Sequence, residues 1–181
     1  MHFDMIESVK SLINKDDLEV KRPTNVAIIY RWWFPKDSEI VKILADYVQS
    51  HSDDGSMRDI FANIATTTIE SVKYYALYLG KGVNGRRRFH NHVDQRKRLS
   101  TLRRTVSALL FTNDEEEISR VLSSCYFEWE EKVCTNSELK AIEKSEIKNG
   151  FYPLNLQENT KISDEWRRII TKKRKTLSVL T

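Results

Sequence analysis

The sequence predicts an α+β fold. Three stretches rich in β-branched and aromatic residues, 25–34 (NVAIIYRWWF), 72–80 and 125–133, read as strands. The segments around them repeat apolar residues at helical spacing, and 181 residues suffice for a single domain, 1–181, with a real core. Taken in order, residues 3–14 set Ile6, Val9, Leu12 and Ile13 on one face of a short amphipathic helix. In 25–34, Val26, Ile28, Tyr30 and Trp32 point one way along a strand, and Ala27, Ile29, Arg31 and Trp33 the other. Pro35 ends that strand. A helix follows with Ile40, Ile43, Leu44, Tyr47 and Val48 on one face, and a second helical segment is expected over 58–70. Residues 72–79 form the next strand, and the Asn84-Gly85 pair suits a turn with positive φ. Residues 86–95 (RRRFHNHVDQ) then read as a helix. Residues 101–111 put Leu102, Val106, Leu109 and Leu110 on one helical face and Arg103 and Arg104 on another; 113–117 reads as an acidic turn. In 125–133 the alternation of Cys125, Phe127 and Trp129 with Glu128, Glu130 and Lys132 is that of a half-exposed strand. Thr135-Asn136-Ser137-Glu138 is a capping box, and the helix it starts stops at Asn149-Gly150.

Composition narrows the class. No stretch approaches the roughly 18 apolar residues of a membrane span, and the N-terminus lacks the basic-then-apolar layout of a signal peptide. Cys125 and Cys134 have no second pair to make a zinc site or a disulfide framework. A reduced, cytoplasmic protein without a membrane partner is expected. The net charge of +4 conceals a segregated pattern. Residues 86–104 hold eight Arg/Lys against Asp94 alone, and 166–175 hold six with no acid, over an acidic remainder. Concentrated positive charge of this kind is the footprint of a polyanion binder. Taken alone, a run such as 166–175 reads equally well as the solvated face of a helix.

The densest chemistry lies in residues 78–92 (YLGKGVNGRRRFHNH). A strand, a glycine-rich turn and a basic helix bring Tyr78, Lys81, Arg88 and His92 toward one corner. Arg88 and His92, four apart, share a helical face. Donors and cations converging in this way suit a phosphate. In the helix of 136–149, Leu139, Ile142 and Ile147 form the apolar stripe, and Glu143 and Glu146 fall inside it. Carboxylates on a buried helical face need a metal or a basic partner.

These residues resemble the motifs of the GIY-YIG nuclease superfamily. Tyr78-Leu79-Gly80, with Arg88 eight residues after the glycine and His92 four further on, is similar to the second motif, with Lys81 where many members also carry lysine. Tyr30 stands as the tyrosine of the first motif, with Ile28 in place of its glycine. The third motif is similar to Ala141-Ile142-Glu143 followed by Pro153-Leu154-Asn155, with Glu146 where a leucine is usual. The likeness covers residues 25–156 and carries a helical insert over 35–72; the N-terminal helix and a basic C-terminal helix in 157–181 lie outside it.

The resemblance implies a small three-stranded antiparallel sheet flanked by helices, and a metal-dependent DNA endonuclease. Its implied catalytic residues are Tyr30, Tyr78, Lys81, Arg88, His92, Glu143 and Asn155. Tyr30 would be the general base, with Lys81 and the metal as the cations available to lower its pKa. Tyr78 would hold the phosphate or the water. Arg88 would neutralise phosphate oxygens, His92 would relay a proton and Asn155 would orient its neighbours. Glu143 would hold Mg²⁺ or Mn²⁺, with Glu146 the other carboxylate in reach. Arg86, Arg87, Arg96, Lys97, Arg98, Arg103 and Arg104 are the expected nucleic-acid contacts, and RNA stays open as a substrate beside DNA. A double-strand cutter would have to form a homodimer or bind twice. The competing class is a non-catalytic nucleic-acid-binding module on the same fold.

Overall fold

The structure, a computed structural model, describes residues 5–14, 16, 18–51, 53–94 and 100–179. Its centre is an antiparallel sheet in the order β1-β5-β2-β4-β3, formed by β1 (Met5–Ser8), β2 (Ala27–Pro35), β3 (Thr66–Ile69), β4 (Val72–Gly82) and β5 (Tyr126–Lys132). The sheet therefore has five strands, not three. The expected trio survives as the middle, with β2 between β4 and β5, and a four-residue strand extends each side.

Both added strands fall where helical spacing had been read. The described part of the expected helix, residues 5–14, divides into β1 and the short helix α1 (Val9–Ile13), whose start is capped by the Ser8 hydroxyl. The expected helix over 58–70 divides into α3 (Ile60–Asn63) and β3. The run Thr66-Thr67-Thr68-Ile69 is wholly β-branched, which favours the pleated surface. A two-residue turn at Glu70 and Ser71, with φ of 49° and 68°, joins β3 to β4. That is hairpin geometry made without glycine.

The first face of the sheet, with Ile28, Tyr30, Trp32 and Phe34 of β2, carries the main core. It packs with residues of α1, α2 (Glu39–Ser50), α4 (Gly85–Val93), α5 (Thr101–Leu110), α6 (Glu115–Ser123) and α8 (Asp164–Val179). The acidic turn expected at 113–117 is the capped start of α6, since the Asp114 side chain accepts from Glu116 and Glu117 N–H. The second face buries Ile29, Trp33, Ala76 and Leu79 against Leu139 and Ile147 of α7 (Asn136–Asn149). The capping box at Thr135 and Glu138 forms as expected.

A β-bulge interrupts the pairing of β2 with β4. Trp32 pairs with Tyr78 but Trp33 pairs with Ala76, so Leu77 is the extra residue in β4. Leu77 and Tyr78, although adjacent, both join the first-face core. Tyr78 thus lies on the same side of the sheet as Tyr30.

Candidate active site

Tyr30 sits at the middle of β2, fully buried, with its ring 5.2 Å from that of Phe127. Its cross-strand partner is Gly80, and a Cβ there would lie 2.3 Å from the Tyr30 hydroxyl. The glycine after Tyr78-Leu79 is therefore required by the phenol that crosses it. Gly82 plays the same part for Arg88, whose Cβ would be 2.6 Å from an added methyl. The Asn84-Gly85 pair works differently from the expectation. No described glycine has positive φ, and Asn84 caps α4 by accepting from Arg87 N–H at 2.8 Å. Gly85 and Arg86 donate their N–H groups to the carbonyls of Val26 and Thr24, which fixes the start of α4 against the start of β2.

Placed this way, α4 delivers Arg88 and His92 to the same phenol. Arg88 Nε donates to the Tyr30 hydroxyl at 2.8 Å, and His92 Nε2 lies 2.7 Å from it. His92 Nδ1 is 2.7 Å from Ser100 Oγ. Burial, reinforced by Arg88 and Arg103, holds the His92 pKa well below the ordinary imidazole value. Burial, then the neighbouring Tyr78, raises Tyr30 well above an ordinary phenol, against the pull of Arg88. The cation at Tyr30 is thus Arg88. Lys81 acts instead on Glu143.

The edge of β4 beyond the reach of β3 positions the rest. Leu77 C=O accepts from Leu154 N–H at 3.0 Å. Asn155 takes both backbone groups of Leu79, accepting its N–H at 2.9 Å and donating to its C=O at 2.7 Å. The N–H of Lys81 donates to the Glu143 carboxylate. Burial raises the Glu143 pKa, opposed by Lys81 and Arg88. α8 ties the same loop down, with Trp166 Nε1 donating to Pro153 C=O at 2.9 Å and Arg167 Nε to Leu156 C=O at 3.0 Å.

A cleft of about 420 Å³ opens along this edge, lined by Tyr78, Lys81, Arg88 and Glu143 together with Asn155. Five of the seven expected catalytic side chains, Asn155 among them, therefore meet there, and Tyr30 and His92 stand directly behind Arg88. Glu146 does not line the cleft, and its charge acts on Tyr152 on the second face of the sheet. Among the described residues no group of three or more His, Cys, Asp or Glu could hold a metal. A lone half-buried carboxylate does not fit zinc, which takes three or four protein ligands. It does fit a hard cation that keeps several waters and completes its shell with phosphate oxygens.

The expected nucleic-acid contacts divide. Arg104 is exposed and lines the cleft, and Arg87 lies beside Lys81 and Arg88 in a shallower neighbouring hollow. Arg86 turns to a groove against Leu12 and Ile13 of α1. Arg96, Lys97 and Arg98 lie outside the described residues. Arg103 is a correction. It is fully buried, donating to Glu115 at 2.6 Å, to Ser119 at 3.2 Å and to His92 C=O at 3.2 Å, so its charge is used inside the protein. α5 is enclosed by its neighbours on more than one face, which the apolar stripe did not disclose. Sequence reasoning missed Ser100, although a serine just before an apolar helical run is a readable N-cap signal. It also missed Lys140 and Arg174 in the cleft wall.

One phenol, a guanidinium and a half-buried carboxylate line one cleft at a sheet edge, with a second phenol behind the guanidinium, an arrangement suited to a nuclease-type hydrolase. Residues 28–176 match the family model described as the GIY-YIG catalytic domain, and the chain belongs to that family. A nucleic acid is accordingly its substrate, and divalent-metal dependence is general among its members. The matched region includes most of α8. Comparison with curated proteins and with solved structures gives no match. No described helix is long and apolar enough to cross a membrane.

Proposed function

We propose that this protein is a metal-dependent DNA endonuclease that hydrolyses phosphodiester bonds. The observation that carries this reading is the meeting of Tyr78, Lys81, Arg88 and Glu143 on one cleft, with Tyr30 and His92 hydrogen-bonded to each other behind Arg88. Glu143 would hold Mg²⁺ or Mn²⁺, which would supply positive charge for the scissile phosphate and its leaving oxygen. Arg88, held by Tyr30 through Nε, offers its terminal nitrogens to the non-bridging oxygens as charge builds. Lys81 balances the Glu143 carboxylate, and Tyr78 orients the water or the phosphate from the cleft wall.

Tyr30 is the general base in this reading, and His92 makes that chemistry accessible. An isolated phenol, with a pKa of about 10, is ionised about one time in a thousand at neutral pH, and burial lowers that fraction further. A free phenolate is therefore too scarce. The neutral His92 ring accepts the Tyr30 proton at Nε2 while the Tyr30 oxygen takes one from water, and Nδ1–H rests on Ser100 Oγ. Asn155 holds the β4 edge and does no chemistry.

Plasmid nicking tests the reading. Supercoiled DNA is expected to be cut with Mg²⁺ or Mn²⁺, to survive in EDTA, and to survive exposure to Glu143→Ala. The rate should stay level across the neutral range and fall at acid pH, where His92, its pKa held low by burial, takes up a proton and can no longer accept one from Tyr30. A Glu143→Ala protein as active as its parent would remove the site assignment.

A further inference from the structure

Part of the cleft wall is made by α5 and α8, and it is cationic. Arg104 and Thr101 come from α5 and Arg174 from α8, while Lys140 lines the cleft from α7, one turn before Glu143. Arg174 stands apart from the other cations of its run. Arg167 is spent on the carbonyls of Leu156 and Asn159, Arg168 on Glu165, and Lys173 lies over the Phe111 ring. Arg174 instead reaches the cleft, braced by Thr105 Oγ1 and, at 3.4 Å, by Thr101 C=O. Its Nε is buried without a partner.

Neither Arg174 nor Arg104 has an acidic partner among the described residues, and they repel each other. Burial, followed by Arg104, lowers the Arg174 pKa to about 10. An anion beside the two guanidiniums would offset both the burial of Arg174 and their repulsion. The acidic group nearest to hand in the lining, Glu158, acts on Glu143. The scissile phosphate is already claimed by Arg88, and Lys81 is engaged with Glu143.

We propose that Arg174, with Arg104, forms a second phosphate subsite, which binds a backbone phosphate of DNA next to the one that is cut. The subsite rests on the nuclease reading for the identity of its ligand. It makes α8 part of the substrate surface and requires a strand with at least two phosphates in the cleft.

Binding of a short fluorescent DNA duplex to the full chain, titrated in EDTA at several salt concentrations, tests this without cleavage. Each phosphate contact contributes about 0.9 to the slope of log affinity against log salt. Arg174→Gln should flatten the slope by about one contact and weaken binding several-fold at moderate salt. Arg174→Lys should restore the slope, and exposed Arg104→Gln should give a like loss that adds to the first. A purely structural Arg174 would lower Tm and leave the slope alone. Unchanged slopes in both Arg174→Gln and Arg104→Gln would overturn the subsite, even with cleavage intact. A parent protein that binds with these slopes but cuts nothing in Mg²⁺ or Mn²⁺ would instead support the subsite and sink the nuclease reading.

Discussion

Two halves of a single strand edge are closed by different means. From Val72 to Tyr75, β4 pairs with the backbone of β3. From Leu77 to Lys81 the same edge is met by Leu154, by the amide of Asn155 and by the carboxylate of Glu143. The first half asks only for β-forming residues. The second asks for particular side chains far along the chain, and in return it aims them into a cleft. An edge left short by its neighbour is normally a hazard for aggregation; here it is the frame on which the third motif is mounted.

That contrast can be broken most directly at Glu143. Glu143→Gln keeps an oxygen for the Lys81 N–H but removes the charge, so cleavage should fall by about a thousandfold or more, with Tm near that of the parent. A Tm loss without a loss of rate would make Glu143 an edge residue only. Gly80→Ala comes next. Its methyl would meet the Tyr30 hydroxyl, and displacing that phenol by about an ångström should slow cleavage about a hundredfold.

Asn155→Ala tests the edge itself. It strands the N–H and C=O of Leu79 in a buried setting, at about 1–3 kcal/mol for each group, measurable by urea unfolding. Thr68→Ala on the exposed side of β3 should change stability by about 0.5 kcal/mol or less and leave cleavage alone. Equal losses at the two positions would erase the distinction between the halves.

The smallest effect expected at neutral pH is on acid stability. His92 has a depressed pKa, so the unfolded chain takes up a proton at this position before the folded one does. The His92 contribution is therefore present above the ordinary imidazole value of about 6.5 and is lost as pH falls below it, at up to about 1.4 kcal/mol per pH unit. Unfolding of the parent and His92→Gln followed from neutral to mildly acidic pH should show this limb only in the parent.

Much of the site could be read from residue order because its signals are local. Arg88 and His92 share a helical face at any orientation of α4, and the Thr135 capping box declares α7 without tertiary help. β2 was legible because β-branched and aromatic residues dominate its nine positions. The misses have tertiary causes. β3 hides because its turn, Glu70-Ser71, reaches positive φ without Gly or Asn to mark it. β1 is four residues long, too short to declare a period. Arg103 and Arg104 are neighbours of one type, and only the packing of α6 and His92 around the first separates an interior ion pair from a cleft wall. Arg174 lay in a run of like charges that gave no sign of which one faces inward.

The bulge at Leu77 makes residue count, more than residue identity, the determinant of which side of the sheet the second phenol occupies. Deleting Leu77 would straighten β4 and carry Tyr78 through the sheet toward α7, with every side chain of the motif still in place. Grafts or chimaeras built on this scaffold must therefore preserve the length of the segment from Ala76 to Gly80 before they preserve its letters.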